Sequence, residues 1–196
     1  MRVDPDQREL RLKIVYAGPG RSGKTTNLRH LFGALPAERR GKFLSLSGED
    51  DRTIFFDFLP VDVGSVAGRR LRLALYTVPG QPRYRASRAL ILRDADGIVF
   101  VADSDPSQAE ANRESLADVI STLTAVGRSL WDLGVVFQYN KRDLPDRTPI
   151  PDLEAALNAG RVPFLPAIAT EGKGVSQALK AATGQCVKRA LSVVER

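Results

Sequence analysis

Apolar runs alternate with amphipathic segments along the chain, and this alternation predicts an α/β fold. Runs rich in Val, Ile and Leu predict buried strands at 10–17, 97–103, 134–140 and 162–167. Two further β-rich runs, joined by a short turn, predict an antiparallel hairpin at 54–64 and 69–78, after a loop at 35–53. Amphipathic segments predict helices at 24–34, 84–94, 107–127, 151–159 and 173–194. Strands separated by helices imply three layers, with a six-stranded, mostly parallel sheet, one antiparallel edge strand and helices on both faces.

The length of 196 residues suits a single domain spanning 1–196. No apolar run approaches the roughly 20 residues of a membrane span, and neither a signal region nor a lipidation motif is recognisable, so we expect no stable membrane anchor. The only cysteine, Cys186, is expected to pack within the last helix of a cytoplasmic protein. The net charge of +6 is spread along the chain, which argues against nucleic-acid binding and favours an acidic protein partner or a membrane surface.

The first strand leads into a glycine-rich loop, GPGRSGKT at 18–25, and then into a helix. This order is the context that supports a phosphate-binding loop. Glycines allow a tight turn in which successive backbone N–H groups converge on phosphate oxygens, and the helix N-terminus adds donors. Lys24 is expected to reach the β- and γ-phosphates, and the Thr25 hydroxyl to ligate Mg²⁺. The expected phosphate contacts are Gly18, Gly20, Arg21, Ser22, Gly23, Lys24, Thr25 and Thr26, with the Arg21 side chain either on a phosphate or in solvent.

A second motif, Asn-Lys-Arg-Asp at 140–143, directly follows the strand at 134–140. In a doubly wound sheet this position lies at the same edge as the phosphate loop. The Asp143 carboxylate can accept hydrogen bonds from N1–H and the exocyclic amine of guanine, whereas adenine offers neither donor there. Lys141 can pack over the ring, and Asn140 can hold the purine edge and tie its loop to the phosphate loop. The combination predicts a guanine nucleotide, GTP or GDP, as the ligand.

The loop after the last strand offers a third contact with the base. The backbone N–H of Ala169 is the candidate donor to guanine O6, and Thr170 follows it. By itself this signal is weak, and it gains weight only from the two motifs already described.

The hairpin is flanked by two segments that suit a γ-phosphate site. Thr77-Val78-Pro79-Gly80-Gln81 ends its second strand, where the Gly80 amide can bond the γ-phosphate and Gln81 can orient the attacking water. Thr53, just before the first strand, is the natural second ligand of Mg²⁺. Arg52 either reaches the γ-phosphate as an arginine finger or pairs with the acidic residues at 49–51.

The strings GPGRSGKTTNL, EDDRTIFFDFLP, YTVPGQ, NKRDLP and ATEGKGV together resemble the MglA-type bacterial Ras-like GTPases over residues 9–180. The resemblance implies a P-loop G domain that switches between GTP and GDP states, hydrolyses GTP slowly with Mg²⁺, and governs cell polarity or motility. It further implies a cytoplasmic protein recruited to a cell pole and a dimeric roadblock-fold partner (MglB-like) that stimulates hydrolysis. The resemblance also implies that Arg52 and Gln81 come into line with the nucleotide when the partner binds, with a register shift of the hairpin strand.

The sequence departs from small GTPases at large at Thr77, and from the MglA-type group after Gln81, where a paralogue with an altered partner surface stays open. Most small GTPases have Asp where Thr77 stands, so either Thr77 holds Mg²⁺ more weakly or Asp57 substitutes; otherwise Asp57 is a solvent-facing strand residue. Arg83, Arg85 and Arg88 place three positive charges after Gln81, which suggests a changed partner surface.

Two other readings remain open at this point. One is a nucleotide-loaded scaffold with negligible turnover, which the unusual residues of the hairpin flanks allow. The other is a P-loop kinase or ATPase, which requires the Asn-Lys-Arg-Asp motif to be accidental.

Overall fold

The computed structural model describes residues 2–4, 9–46, 56–66, 68–79 and 85–194. Within these residues the strands are β1 (Arg2–Asp4), β2 (Glu9–Ala17), β3 (Leu44–Leu46), β4 (Phe56–Val66), β5 (Arg69–Thr77), β6 (Gly97–Asp103), β7 (Gly134–Asn140) and β8 (Phe164–Pro166). The α-helices of the same residues are α1 (Lys24–Ala34), α2 (Arg85–Leu92), α3 (Ala109–Ala125), α4 (Ile150–Leu157) and α5 (Val175–Val194). The expected alternation of strands and helices is confirmed.

The strands form one mixed sheet in the order β3-β4-β5-β2-β6-β7-β8, with β1 paired antiparallel to the start of β2. Strands β5, β2, β6, β7 and β8 run parallel, and β4 returns antiparallel to β5 as the expected hairpin. The six expected strands are all present. The structure adds β1 and β3, each of three residues, so that β3 rather than the hairpin strand β4 forms this edge of the sheet.

The two faces of the sheet are covered by different helices, because side chains alternate along the strands. Leu12 and Ile14 of β2 face α1 and α5, whereas Val15 and Ala17 face α2, α3 and α4. Strands β6 and β7 are buried at every position, as their continuous apolar sequences predict. The sheet is therefore the middle of three layers, and the carboxyl ends of its parallel strands lie at one edge.

Helix α5 lies unusually close to the sheet at Cys186. A Cβ built on Gly97 or Gly134 would lie 2.7 or 2.6 Å from the Cys186 sulfur, so glycine is required at both strand starts. Cys186 is buried, as expected, and burial raises the pKa of its thiol to about 12. Its contacts with the two glycines indicate a packing role.

None of the helices in the described parts of the chain has the length and apolar character needed to cross a bilayer.

Candidate nucleotide-binding site

The loop between β2 and α1 has the backbone of a tight anion-binding turn. Gly18 and Gly23 have φ of 138° and 105°, which only glycine adopts readily. A Cβ on Gly18 would lie 2.2 Å from the carbonyl oxygen of Val101, so the close approach of β6 also requires glycine there. Arg21 has φ of 62° and an exposed side chain, which leaves the guanidinium in solvent. The loop therefore turns where the sequence places its glycines.

Lys24, the first residue of α1, is buried over this loop. Its Nζ donates to the carbonyl oxygens of Gly18 at 2.9 Å and Pro19 at 2.5 Å. Burial, with a smaller contribution from the nearby Arg88 charge, lowers the pKa of Lys24 to about 8, and Asp57 opposes the shift. A desolvated ammonium group at a helix N-terminus favours an anionic ligand such as a phosphate group.

Asp57, on β4, is surrounded by hydroxyl groups at the start of α1. Thr25 Oγ1 donates to Asp57 Oδ2 at 2.6 Å, and Ser45 Oγ donates to Asp57 Oδ1 at 2.8 Å. The Thr77 hydroxyl lies 3.0 Å from Asp57 Oδ2 and accepts the backbone N–H of Asp57 at 2.8 Å. Asp57 is only 5% exposed, so the alternative of a solvent-facing strand residue is wrong. A buried carboxylate therefore lies beside Thr77, on the neighbouring strand.

Asn140 joins the phosphate loop to the loop after β8. Its Nδ2 donates to the carbonyl oxygen of Ser22 at 2.7 Å, and its Oδ1 accepts the N–H of Ala169 at 2.9 Å. A Cβ on Gly23 would lie 2.2 Å from Asn140 Nδ2, so the two loops touch. The expected tie through Asn140 is present, and the Ala169 amide would have to share this bond in order to reach a guanine oxygen.

The charged residues of the second motif lie at the same edge of the sheet. Lys141 has φ of 63°, and its Nζ forms an ion pair with the buried Asp103 at the end of β6. The Asp143 carboxylate is exposed, and within the described residues it has no hydrogen bond or ion pair. Thr170 is exposed in a short 3-10 helix, Ala169–Glu171. Asp143 is therefore available to a ligand, while the Lys141 head group is held in place.

Several predicted residues lie outside the described parts of the chain. They are Arg52, Thr53, Gly80, Gln81 and Arg83. Thr26 is described, on α1, where its side chain is half-buried. The predicted residues that the structure brings together are therefore the phosphate loop, Asn140, the 169–170 segment and Asp57.

Arg88 corrects the expectation of three exposed charges after Gln81. Its guanidinium is buried, with Nε 2.6 Å from Asp118 Oδ2 on α3 and Nη1 3.1 Å from the carbonyl oxygen of Pro79. The sequence-based reading missed the partner, which is thirty positions away on another helix. Arg88 anchors the segment that leads into Gly80 instead of facing a partner protein.

Two buried amide side chains behind the phosphate loop were also missed. Asn27 and Gln138 are both 0% exposed and are hydrogen-bonded to each other. The signal available in the sequence was a glutamine inside the apolar run GVVFQYN. A polar residue in such a run needs a buried partner.

Comparison with known proteins shows which class of phosphate-binding protein this chain belongs to. The profile of the Ras family matches residues 13–188. The chain belongs to the Ras family. This Ras-family protein is a GTP-binding switch and a GTP-hydrolysing enzyme, and the kinase or ATPase reading is excluded.

Individual relatives show which branch of the Ras family the chain resembles. It is 49% identical over 179 residues to the mutual gliding-motility protein MglA of Myxococcus xanthus, covering 91% of this chain and 92% of that protein. It is 24% identical over 191 residues to human Ras-related protein Rab-27A, covering 94% of this chain and 82% of that protein. The resemblance to MglA-type Ras-like GTPases is confirmed.

Proposed function

We propose that this protein is a Mg²⁺-dependent, guanine-specific switch of one domain, residues 1–196, that controls cell polarity or motility. The observation that carries the metal part is the 2.6 Å hydrogen bond between Thr25 and the buried Asp57 carboxylate. The biological part is supported by the 49% identity to a protein whose name describes gliding motility. The general function, a GTP-hydrolysing Ras-family switch, depends on neither the metal part nor the biological part of this proposal.

Recognition of guanine rests on Asp143, Asn140, Lys141 and the segment from Ala169 to Thr170. Asp143 presents an exposed carboxylate beyond the end of β7, where it accepts the two donors of the guanine edge. Asn140 fixes this loop to Ser22 of the phosphate loop at 2.7 Å, so base and phosphates occupy one continuous site. Paired recognition of this kind discriminates between bases because the wrong base leaves the carboxylate unpaired.

The donors around Asp57 fit Mg²⁺, which prefers hard oxygen ligands. Among the described residues no cluster of three or more His, Cys, Asp or Glu could hold a metal. Thr25 and Thr53 are the proposed hydroxyl ligands, and Asp57 supplies the negative charge, directly or through water. When bound, Mg²⁺ neutralises charge on the phosphate oxygens.

Catalysis is assigned to Gln81 and Arg52, with the Gly80 amide on the γ-phosphate. The support for Gly80 and Gln81 is the course of the chain just before them. Val78 donates its N–H to the carbonyl oxygen of Tyr16 at 3.1 Å, so the segment leading into Gly80 starts beside the phosphate loop. Gln81 orients the attacking water and Arg52 stabilises transition-state charge, a contribution of about 10³–10⁵ in rate when such an arginine is engaged.

A carboxylate exchange tests the proposed role of Asp57. In Asp57→Asn the neutral amide lacks the charge, so we expect at least about tenfold more Mg²⁺ to be needed to slow the release of fluorescent GDP. Adding Thr77→Asp to this variant restores a carboxylate at the same place and should recover most of the Mg²⁺ dependence. Thr77→Asp alone sets two carboxylates side by side and should weaken binding.

The matched control is Asp62→Asn, on the same strand, whose carboxylate instead pairs with Arg70 at 2.5 Å. It should leave the Mg²⁺ dependence unchanged. If Asp57→Asn binds GDP with wild-type dependence on Mg²⁺, Asp57 has no part in holding the metal.

The proposed partner is a dimeric roadblock-fold protein that accelerates hydrolysis in the cytoplasm or at a cell pole. The resemblance to MglA-type proteins supports this choice, and the net charge of +6 suits an acidic partner. GTP turnover measured alone and with such a protein should rise at least about a hundredfold if Arg52 and Gln81 are brought into line. Negligible turnover in both conditions would instead support the nucleotide-loaded scaffold.

A further inference from the structure

A chain of buried amides connects strand β7 to the phosphate loop. Gln138 Nε2 donates to Asn27 Oδ1 at 2.9 Å, and Asn27 Nδ2 donates to the carbonyl oxygen of Gly23 at 2.9 Å. That carbonyl also accepts the backbone N–H of Asn27 at 2.9 Å. Both side chains are 0% exposed, so these hydrogen bonds do not compete with bulk water.

The direction of a peptide carbonyl fixes the direction of the N–H group in the same peptide. In a planar trans peptide the two groups point in opposite directions. Holding the Gly23 carbonyl behind the loop therefore aims the Lys24 N–H forward, toward the phosphate site. Asn140 holds the Ser22 carbonyl at 2.7 Å, which aims the Gly23 N–H in the same way.

We propose that Asn27 and Gln138 are positioning residues that aim the Lys24 backbone N–H at the nucleotide phosphates and couple this amide to the base-binding strand. Gln138 and Asn140 are two residues apart on β7, so both project from the same face of the sheet. One strand thus orients two successive peptides of the loop and presents the base-reading residues at its end. The proposal rests on the phosphates lying at residues 18–25.

The stability of the fold alone does not explain why Asn27 and Gln138 are amides. Gln138 Oε1 is buried and has no hydrogen-bond partner among the described residues. Two buried amides with one unsatisfied oxygen are no more favourable than two apolar side chains of similar size. Strand β7 is otherwise apolar over 134–137, so an apolar side chain at position 138 would pack against α1 equally well.

A pair of single variants isolates the bond to the Gly23 carbonyl. Asn27→Ala removes the donor, and GDP release should accelerate about tenfold. Asn27→Ser differs from it by one oxygen, and a helical serine can donate to the carbonyl four residues earlier, which here is Gly23. Release from Asn27→Ser should therefore return most of the way to the wild-type rate. Equal rates for the two variants would contradict the proposal.

The double variant Asn27→Leu/Gln138→Met separates positioning from packing. If the pair only fills space, replacing both partners restores packing, and GDP release stays at the wild-type rate. If the pair positions the loop, release stays about tenfold faster, and the ³¹P resonance of the bound β-phosphate shifts. The preference for guanine over xanthine nucleotides should not change, because Asp143 is untouched.

Thr122→Val is the control, since it removes a buried hydroxyl on α3 without a hydrogen-bond partner among the described residues. It should leave both the release rate and the ³¹P spectrum unchanged. Failure of the wild-type protein to bind GDP would overturn the assignment of the site itself. Tight wild-type binding together with a wild-type double variant would overturn only the role given to Asn27 and Gln138.

Discussion

Neighbouring glycines of the phosphate loop differ sharply in what a side chain would meet. A Cβ on Gly18 would lie 2.2 Å from the backbone oxygen of Val101, whereas a Cβ on Gly20 would have nothing within 4 Å. The open side of Gly20 faces a cavity lined also by Val78 and Arg88, next to the segment that leads into Gln81. A side chain at position 18 should therefore disturb the fold of the loop, whereas a side chain at position 20 should disturb the reaction without disturbing the fold.

Gly20→Val should fold and bind GDP normally while hydrolysing GTP at least about tenfold more slowly, because displacement of a catalytic group by about 1 Å can cost two orders of magnitude. Single-turnover conversion of GTP, followed by HPLC, measures the effect. Gly18→Ala is the contrasting variant, and it should lose nucleotide binding because of its contact with β6. Unimpaired hydrolysis by Gly20→Val would show that Gln81 is not positioned through this cavity.

Single residues were predictable from sequence where they belong to a motif whose residue types and spacing imply its chemistry. Gly18, Gly23 and Asn140 belong to contiguous strings, and the structure confirms the tight turn at the glycines and the tie through Asn140. The contact of Lys24 with phosphate stays a prediction, because its Nζ here bonds carbonyl oxygens of the loop. Asp57 was predictable only as a candidate, because its hydroxyl neighbours come from three separate segments.

Elements were predictable to the residue where the pattern is strong and local. The bounds of α1, β6 and β7 agree with the sequence, since each is an amphipathic or continuous apolar segment with a glycine at or next to its start. Strand β3 was not predictable, because three residues carry no period and their pairing depends on β4. The burial of Arg88 was not predictable either, since a charged residue on an amphipathic helix ordinarily faces solvent.

Helix α2 is fastened to α3 by the ion pair of Arg88 with Asp118, and we expect this pair to stabilise both helices and the preceding segment. The Arg88 side chain is 7% exposed and that of Asp118 is 27% exposed, so the pair lies between the surface and buried cases. Asp118→Asn should lower the free energy of unfolding by about 1–3 kcal/mol, because it removes the negative charge of Asp118 from beside a nearly buried cation. Hydrogen exchange should show lost protection concentrated in α2.

A control for this prediction is Glu110→Gln, which disturbs an exposed ion pair with Arg113 on the same helix and should change stability by less than about 0.5 kcal/mol. Protection lost evenly over the protein, rather than in α2, would show that the pair does not act as a local anchor.

At the scale of the whole molecule, one edge of the sheet gathers residues from distant parts of the chain. Lys24, Asn140 and Ala169 lie there because the loops that follow parallel strands meet at the same edge. Asp57 joins them because the antiparallel strand β4 starts at that edge. This convergence was predictable from the alternation of strands and helices. The side-chain bonds between the loops needed the structure, since an amide such as Asn140 has several donors and acceptors within reach.

Binding of a nucleotide to this edge should stabilise the entire fold, and the base should decide how much. At 100 times its dissociation constant a ligand stabilises the folded state by about 2.7 kcal/mol, which for a chain of this size raises Tm by about 5–10 °C. GDP with Mg²⁺ should produce this shift in the wild-type protein, whereas xanthosine diphosphate should not. Asp143→Asn keeps one acceptor and replaces the other with an N–H donor, which matches the N1–H and O2 of xanthine, so xanthosine diphosphate should become the stabilising ligand. Asp146→Asn, an exposed carboxylate three residues later, should behave as wild type. Equal shifts with both nucleotides in Asp143→Asn would show that the base is read elsewhere.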